Sequence, residues 1–215
     1  MADLDQRQRN LRGEGGRLKE ELIEAAMRIL DAQPNVQLSL RMVAKEARIA
    51  APSVYRQFAD AQALTMEIIH ACWSVMGEEM AKAAREANPA TPFAELKAKM
   101  SGYVHYAMGR PSRYKLLFVS PPSDPEENEL PGLLQPAFRS VRATLGKMMV
   151  DGSTPPAAND FDTALLILSV THGRIALALL SPQREGNCAA SVERFVFDTL
   201  DQLFRLGVDA GMATS

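Results

Sequence analysis

The stretch from residue 38 to 58 constrains the fold most, because its apolar residues have helical spacing on both sides of a short break. The first half places four of them on one helical face: Leu40, Val43, Ala44 and Ala47. In the second half, Val54 and Phe58 lie four residues apart and supply the inward face of another helix. The pattern therefore predicts two short helices joined by a tight turn, which is the layout of a helix-turn-helix unit.

The charged residues of this unit favour a phosphate-binding surface. The positions that the apolar pattern leaves outside are mostly basic: Arg41, Lys45, Arg48 and Arg56. Their one acidic neighbour is Glu46, and contact with phosphate needs this excess of positive charge. A second basic run comes earlier, at Arg7, Arg9, Arg12, Arg17 and Lys19. This arm either contacts phosphates as well or solvates a flexible tail.

From residue 17 to 64 the chain resembles the tetracycline-repressor (TetR) family of transcriptional regulators. The residues that carry the resemblance are the helical run 22–30, Ser39, Val43-Ala44, Ala47-x-Ile49 and Ser53-Val54-Tyr55-x-x-Phe58. The resemblance implies that the Tyr and the hydroxyl at the helix start hold phosphates, while the front of the second helix reaches base edges. On this basis the predicted contacts to double-stranded DNA are Arg17, Ser39, Arg41, Arg48, Ala51, Pro52, Ser53, Tyr55 and Arg56.

The chain departs from the family pattern at three positions. Arg48 stands at the turn where members usually carry Gly, so it must accept a positive φ at a cost of about 1 kcal/mol or shift the turn. Ala50 replaces the usual Ser at the start of the second helix, which removes a side-chain cap worth roughly 0.5–2 kcal/mol. Ala61 stands where a phosphate-binding Lys is common, so Arg48 or Arg56 would have to replace that contact.

A chain of 215 residues is long enough for a small DNA-binding domain and a larger second domain. We predict a basic flexible arm over residues 1–16, a helix-turn-helix domain over 17–62 and a regulatory ligand-binding and dimerisation domain over 63–215. The formal net charge of −2 does not oppose DNA binding, because a local patch and not the net charge binds phosphate.

The composition favours a cytoplasmic protein. No apolar run reaches about 18 residues without a polar interruption, and the N-terminus is charged, so neither a membrane span nor a secretory signal is predicted. Cys72 and Cys188 lie far apart and lack metal-ligand spacing, which suits reduced thiols, although a redox-sensing pair is an alternative.

The remaining pattern is helical, without strand alternation, and predicts an all-α chain of about nine helices. We expect a fourth helix to about residue 87, a fifth capped by Thr91, a short sixth around 112–119, and a Pro-rich loop over 120–132. The last three helices are predicted over about 133–150, 158–180 and 191–207. The eighth is apolar nearly all round, which indicates burial on several sides.

The second domain resembles a TetR subgroup with a Trp-His-Gly-type signature. The residues are those of the stretch 106–118 together with Thr171-His172-Gly173, and Leu168 stands near the position of the Trp. The resemblance implies a regulatory pocket among the middle helices. The candidate pocket residues are Trp73, Met76, Met100, Tyr103, His105, Phe118, Met148, Met149 and His172. Each could equally be ordinary core; of the histidines, His105 is the better pocket candidate and His172 more often a core or interface residue.

The ninth helix carries two apolar stripes, one for the core and one for a partner. Core packing is assigned to Val192, Phe195, Val196, Leu203 and Leu206, and a homodimer interface to Phe197, Leu200, Phe204 and Val208, with Leu177 from the eighth helix. In the family, the last two helices of each subunit pair in a four-helix bundle. A dimer also has a functional reason, because one helix-turn-helix unit contacts only half of a palindrome.

These patterns predict a homodimeric, ligand-responsive repressor that a small apolar effector releases from a palindromic operator. No enzyme motif is found: the chain has no Gly-rich phosphate loop, Gly-x-Ser-x-Gly, His-x-x-x-His or Cys-x-x-Cys. No cofactor, metal or membrane partner is expected. The alternatives are a small-molecule-binding or redox-sensing helical protein without operator function, and an enzyme with an unrecognised site.

Overall fold

The computed structural model describes residues 14–33, 36–118, 135–150 and 160–212. These ranges contain nine α-helices and no strand, which confirms the all-α prediction. The helices are α1 Glu14–Ala32, α2 Leu40–Ala47, α3 Ala51–Gln57, α4 Ala61–Ala87, α5 Pro92–Gly109, α6 Pro111–Leu116, α7 Gln135–Val150, α8 Asp160–Leu180 and α9 Ala189–Met212. The predicted basic arm over 1–16 and the Pro-rich loop over 120–132 fall almost entirely outside the described residues.

The chain divides into two compact units, Met1–Ala71 and Cys72–Ser215, so the division falls within α4. The predicted boundary between residues 62 and 63 lies instead at the start of that helix. In the first unit α1, α2 and α3 pack against one another. Residues of this unit that are almost completely buried include Leu22, Ala25, Ala26, Val43, Val54, Phe58 and, from the start of α4, Leu64 and Ile68. Asp60 caps α4, since the backbone N–H of Ala63 donates to its Oδ1 over 2.8 Å.

Local signals set several helix ends in the second unit. Asn88 follows the last residue of α4 with a positive φ of 43°, a conformation in which Asn is common after a helix. Thr91 caps α5, because its Oγ1 accepts the backbone N–H of Ala94 over 3.2 Å, and Pro92 occupies the first turn. Elsewhere the predictions were less exact: α6 ends before residue 119, and α9 begins earlier and extends further than predicted.

The second unit is organised around α5, which packs against α6, α7, α8 and α9. Gly102 allows α4 to approach α5, because a Cβ at this position would lie 2.6 Å from the backbone oxygen of Glu79. Polar contacts then join α5 to its other neighbours. Lys97 binds Asp201 of α9 at 2.7 Å, and Lys99 donates to Thr144 of α7 over 2.7 Å.

Among the described residues, α8 is the one helix that is long and apolar enough to cross a membrane, by length and composition alone. Polar residues, among them Asp162, His172 and Arg174, interrupt its apolar sequence. The core helix of a soluble protein has the same properties, and α8 packs against α5, α7 and α9. Leu166, Leu177 and Leu180 are exposed on α8, so its own unit covers only part of its surface.

Candidate nucleic-acid interface and effector site

The turn between α2 and α3 is held by backbone hydrogen bonds around Arg48. Ser39 caps α2, with its Oγ accepting the backbone N–H of Met42 over 3.3 Å. After Ala47 the chain enters the left-handed region at Arg48, with φ 56° and ψ 39°. The N–H of Arg48 donates to Lys45 and that of Ile49 to Ala44, over 3.2 and 2.9 Å. Arg48 therefore accepts the positive φ, and the turn keeps the geometry that Gly would adopt more easily.

The start of α3 lacks a side-chain cap. Ala50 precedes the helix in extended conformation and makes no capping hydrogen bond through its side chain. Pro52 lies in the first turn, where its missing N–H is not needed. The front of α3 therefore presents small side chains, Ala51 and Ser53, that leave close access to its backbone.

The outer face of the unit is formed by four exposed side chains, Arg41, Arg48, Tyr55 and Arg56, which we call the α2–α3 face. Tyr55 is 51% exposed, whereas its neighbour Val54 is fully buried in the core. Tyr55 therefore lies at the surface of α3 and not in its core. Arg56 donates from Nη2 to Ser53 Oγ over 2.9 Å, which orients its guanidinium toward the front of α3.

Three acidic side chains of the first unit lie beside basic ones. Glu46 accepts a hydrogen bond from Arg28 Nε at 3.1 Å, and Lys19 lies 2.7 Å from Glu67. Arg17 is highly exposed and lies 3.5 Å from Glu21, one turn along α1. The basic residues Arg7, Arg9 and Arg12 are outside the described residues.

The predicted pocket residues fall into three groups in the second unit. Five are buried: Trp73, Met76, Met100, Tyr103 and Met148. Phe118 and His172 are half-buried. Met149 is exposed at 53%, so it does not line an interior pocket, and the prediction for this residue is wrong. Met148 and Met149 are neighbours on α7, and packing selects only the first for the core.

Tyr103, Tyr114 and His172 form a hydrogen-bonded chain inside the second unit. The two tyrosine oxygens are 3.2 Å apart, and Tyr114 Oη lies 2.8 Å from His172 Nδ1. Phe118 stacks on the His172 imidazole with 3.9 Å between ring centroids. Burial raises the pKa of Tyr103 to about 12 and raises that of Tyr114 further still. Burial also lowers the pKa of His172, which keeps the imidazole neutral at pH 7.

Sequence reasoning did not select Tyr114 as a pocket residue, and of the histidines it preferred His105 to His172. His105 is exposed and interacts with Ser101 of its own helix, whose backbone oxygen lies 3.0 Å from Nδ1. Glu193 of α9 is 3.8 Å from the same nitrogen. The structure thus places His105 at the surface and His172 in the aromatic cluster. The one available signal was that Tyr114 and His172 both belong to the stretches that carry the subgroup resemblance.

The apolar stripes of α9 are distributed differently from the prediction. Leu200 is 1% exposed and lies in the core with Val192 and Val196, so its assignment to a subunit interface is wrong. Phe195, predicted to face the core, is exposed. Two further predicted interface residues are half-buried against α5: Phe204 packs on Phe93 with 5.0 Å between centroids, and Phe197 lies 5.5 Å from Lys97 Nζ. Leu177 of α8 is 64% exposed, and the side chain of Val208 is outside the described residues.

Neither a metal site nor a disulfide is present in the described part of the chain. No group of three or more His, Cys, Asp or Glu side chains there could hold a metal ion. Cys72 is buried, Cys188 is exposed, and neither forms a disulfide with another described residue. A hydrogen bond with Ser191 lowers the pKa of the Cys188 thiol.

Comparison with known proteins identifies the class. A family model described as the tetracyclin repressor-like C-terminal domain matches residues 96–209. The chain therefore belongs to the TetR family of transcriptional regulators, whose members are transcription factors and not enzymes. TetR-family regulators are soluble proteins, so α8 does not indicate a membrane protein.

Three solved structures illustrate the shared fold. A protein of unknown function from Rhodococcus sp. RHA1 is 17% identical, with a TM-score of 0.69 over 94% of this chain and 98% of that one. FadR from Bacillus subtilis, solved in complex with stearoyl-CoA, is 14% identical, with a TM-score of 0.65 over 87% and 98%. A transcriptional regulator from Cytophaga hutchinsonii ATCC 33406 is 14% identical, with a TM-score of 0.62 over 88% and 97%. No curated protein matches the chain significantly.

Proposed function

We propose that this chain is a sequence-specific DNA-binding regulator, a homodimeric repressor that a small apolar effector releases from a palindromic operator. The observation that carries the proposal is the α2–α3 face. It presents three arginines and a half-exposed tyrosine, while Arg28 neutralises Glu46, the one acidic residue of the helix-turn-helix unit. A surface of this sign and shape fits the major groove and its phosphates.

Each part of the face has a role in this proposal. The Tyr55 hydroxyl and the Arg41 and Arg48 guanidinium groups contact phosphates, which fixes the position of α3 on the duplex. Arg56, oriented by Ser53, is the side chain best suited to a bidentate contact with guanine. Ala51 and Pro52 are available for apolar contact with a thymine methyl group.

A second copy of the chain is the proposed partner of α8 and α9. Leu166, Leu177 and Leu180 on α8 and Phe195 on α9 are exposed apolar side chains on consecutive helices. Gly173 adds no bulk to α8, and a Cβ placed there would meet nothing within 4 Å. Two-fold pairing of such a surface presents two helix-turn-helix units to the two halves of a palindrome.

Effector binding in the second unit would act on DNA affinity through α4, which contributes residues to both units. Operator half-sites have a fixed separation. An effector that stabilises a different separation of the two helix-turn-helix units by about 1–3 kcal/mol therefore lowers operator affinity roughly 5–150-fold. The aromatic and Met-rich interior favours an apolar effector. FadR from Bacillus subtilis, which shares this fold, was solved in complex with stearoyl-CoA. The cytoplasm is the proposed location, where the operator lies.

The test is selection of bound duplexes from a random pool, followed by fluorescence anisotropy titration of the selected sequence. We expect a palindrome whose affinity falls with salt. An Arg41→Ala, Tyr55→Phe variant should bind more weakly. It loses one cationic phosphate contact per subunit, that of Arg41, which should reduce the salt slope by about 1.8. Arg139→Ala removes an exposed arginine from α7 and serves as the control that leaves binding unchanged. Failure to select any motif would contradict operator function.

A further inference from the structure

The direction of donation in the Tyr103–Tyr114–His172 hydrogen bonds can be deduced from the residues at the two ends of the series. Tyr103 and Tyr114 are both 1% exposed, and their oxygens and His172 Nδ1 follow one another at 3.2 and 2.8 Å. If each tyrosine donates toward His172, only a lone pair of Tyr103 is left without a partner. In the opposite direction the buried O–H of Tyr103 would have no acceptor among the described residues. An unpaired buried donor costs more than an unused lone pair, so both tyrosines donate toward His172.

This direction decides which nitrogen of His172 carries the proton. Nδ1 accepts the hydrogen bond of Tyr114 and has no proton of its own. Because burial lowers the pKa of His172, the ring is neutral at pH 7, and its single proton lies on Nε2. The two tyrosines therefore fix His172 as a neutral donor through Nε2.

A second neutral donor, the indole of Trp73, contacts the same Phe118 ring. The Phe118 ring contacts His172 at 3.9 Å and meets the Trp73 indole edge-on at 5.9 Å between centroids. Trp73 is 3% exposed, and its buried Nε1–H has no hydrogen-bond partner in the described structure. A buried donor without an acceptor is unfavourable, and a ligand that supplies an acceptor would remove this cost.

We propose that Trp73 and His172 recognise the uncharged carbonyl group of an apolar ligand, such as a ketone, ester or thioester. Both groups offer N–H donors and neither carries a positive charge. A buried carboxylate facing only neutral donors would lose more hydration energy than a carbonyl, so the site selects against the free acid. This inference rests on the proposed function, since it names the chemical class of the effector.

The test uses three probes that share a naphthalene body: 2-acetylnaphthalene, 2-ethylnaphthalene and 2-naphthoate. Calorimetric titration of the full chain should give the ketone an affinity about tenfold above the hydrocarbon, the factor expected from one hydrogen bond. Naphthoate should bind more weakly than the ketone. Equal affinities for the ketone and the hydrocarbon, or no binding of the ketone, would overturn the inference.

Variants separate recognition from packing. Trp73→Phe removes the indole N–H, and Tyr114→Phe removes the group that fixes the His172 tautomer. Each should reduce the preference for the ketone to within about threefold, since one of two donors is lost or misdirected. Leu96→Met is the control, because it changes a fully buried side chain of α5 and removes no hydrogen-bond donor. If Leu96→Met reduces the preference as much as Tyr114→Phe, the proposed role of the Tyr103–Tyr114–His172 hydrogen bonds is contradicted.

The tautomer itself gives an independent readout without a ligand. Nitrogen-15 spectra of the imidazoles, with His172→Gln to assign the signal, should show His172 protonated on Nε2 in the wild type. They should show a mixture of tautomers in Tyr114→Phe. Protonation of His172 on Nδ1 in the wild type would overturn the inference. Operator binding is measured on the same preparations, so retained operator binding with no ketone preference rejects this inference alone.

Discussion

Arg28 of α1 donates a hydrogen bond from Nε to Oε1 of Glu46 on α2, over 3.1 Å. Both side chains are about half exposed, so the pair contributes little to stability, on the order of 0–1 kcal/mol. Its larger effect is electrostatic, because Glu46 is the one acidic residue of the helix-turn-helix unit.

We predict that Arg28→Ala lowers operator affinity several-fold, since an unneutralised carboxylate within a Debye length repels phosphate. Fluorescence anisotropy at low salt measures this effect. The double variant Arg28→Ala, Glu46→Gln should restore most of the affinity. If the double variant binds as weakly as the single one, Arg28 acts on DNA directly and not through Glu46.

The positive φ of Arg48 predicts a stabilising substitution. Arg48→Gly should raise the free energy of unfolding by up to about 1 kcal/mol, because Gly adopts the left-handed conformation without steric cost. Urea denaturation gives the value. In the control Arg41→Gly, which lies inside α2, the same change should lower stability by about 0.8–1 kcal/mol. Equal effects of the two substitutions would contradict strain at Arg48.

Close approach of α4 to Gly102 predicts a destabilising substitution. Gly102→Ala should lower the free energy of unfolding by about 1–3 kcal/mol, since the added Cβ would lie 2.6 Å from a backbone oxygen that cannot move alone. Gly146 of α7 is the matched control, where a Cβ would meet nothing within 4 Å. There the change to Ala should raise stability by about 0.4–1 kcal/mol. Thermal or urea unfolding of the three proteins distinguishes these outcomes.

Glu95 links α5 to α7, and its lowered pKa predicts that the free energy of unfolding depends on pH. Burial opposes ionisation of Glu95, but hydrogen bonds and charges from Lys147 and Lys99, each 2.8 Å away, outweigh it and lower its pKa. The stabilisation is therefore complete above the unfolded pKa of about 4.3 and is lost as pH falls through the folded value.

We expect Glu95→Gln to reduce the free energy of unfolding by about 1.5–3 kcal/mol at pH 7, as for hydrogen bonds to charged groups. The difference from wild type should narrow below about pH 4, where the wild-type carboxyl becomes protonated. Urea denaturation across this pH range is the measurement. A difference that stays constant down to pH 3 would show that the charge of Glu95 is not responsible.

Because Leu177 is exposed on α8, we predict that a charged substitution there changes the oligomeric state of the protein. In the proposed homodimer, Leu177→Arg places a charge in an apolar interface and should yield monomers in sedimentation velocity. Met149→Arg changes a similarly exposed apolar residue on α7 and should leave the dimer intact. A Leu177→Arg protein that remains dimeric with wild-type affinity would place the interface elsewhere.

Local patterns were sufficient for the helices and most of their ends. Thr91 and Asn88 act through neighbouring backbone groups, and these interactions depend on a few consecutive residues. Tyr55 was also assigned to the surface, since it lies one position off the apolar face that Val54 and Phe58 define. The alternation of buried and exposed positions within one short helix is visible in sequence.

Which apolar stripe faces the core was not predictable in the same way. On α9, Leu200 is buried and Phe195 exposed, the reverse of the assignment, because both stripes have helical spacing and only packing against α5 and α8 chooses between them. The exposure of His105 and the partial burial of His172 were not predictable for a similar reason. An isolated histidine carries no periodic signal that tells whether its ring meets Glu193 or Tyr114.

The sequence by itself determined the class of the protein, its helical architecture and the helix-turn-helix unit, since these follow from periodicity, caps and local charge. Tertiary structure alone decided the hydrogen bonds that join Tyr103, Tyr114 and His172, the neutralisation of Glu46 by Arg28 and the close approach of α4 to Gly102. Each of these depends on side chains from different helices, whose relative rotation is set by the packing of the whole unit and not by any local segment.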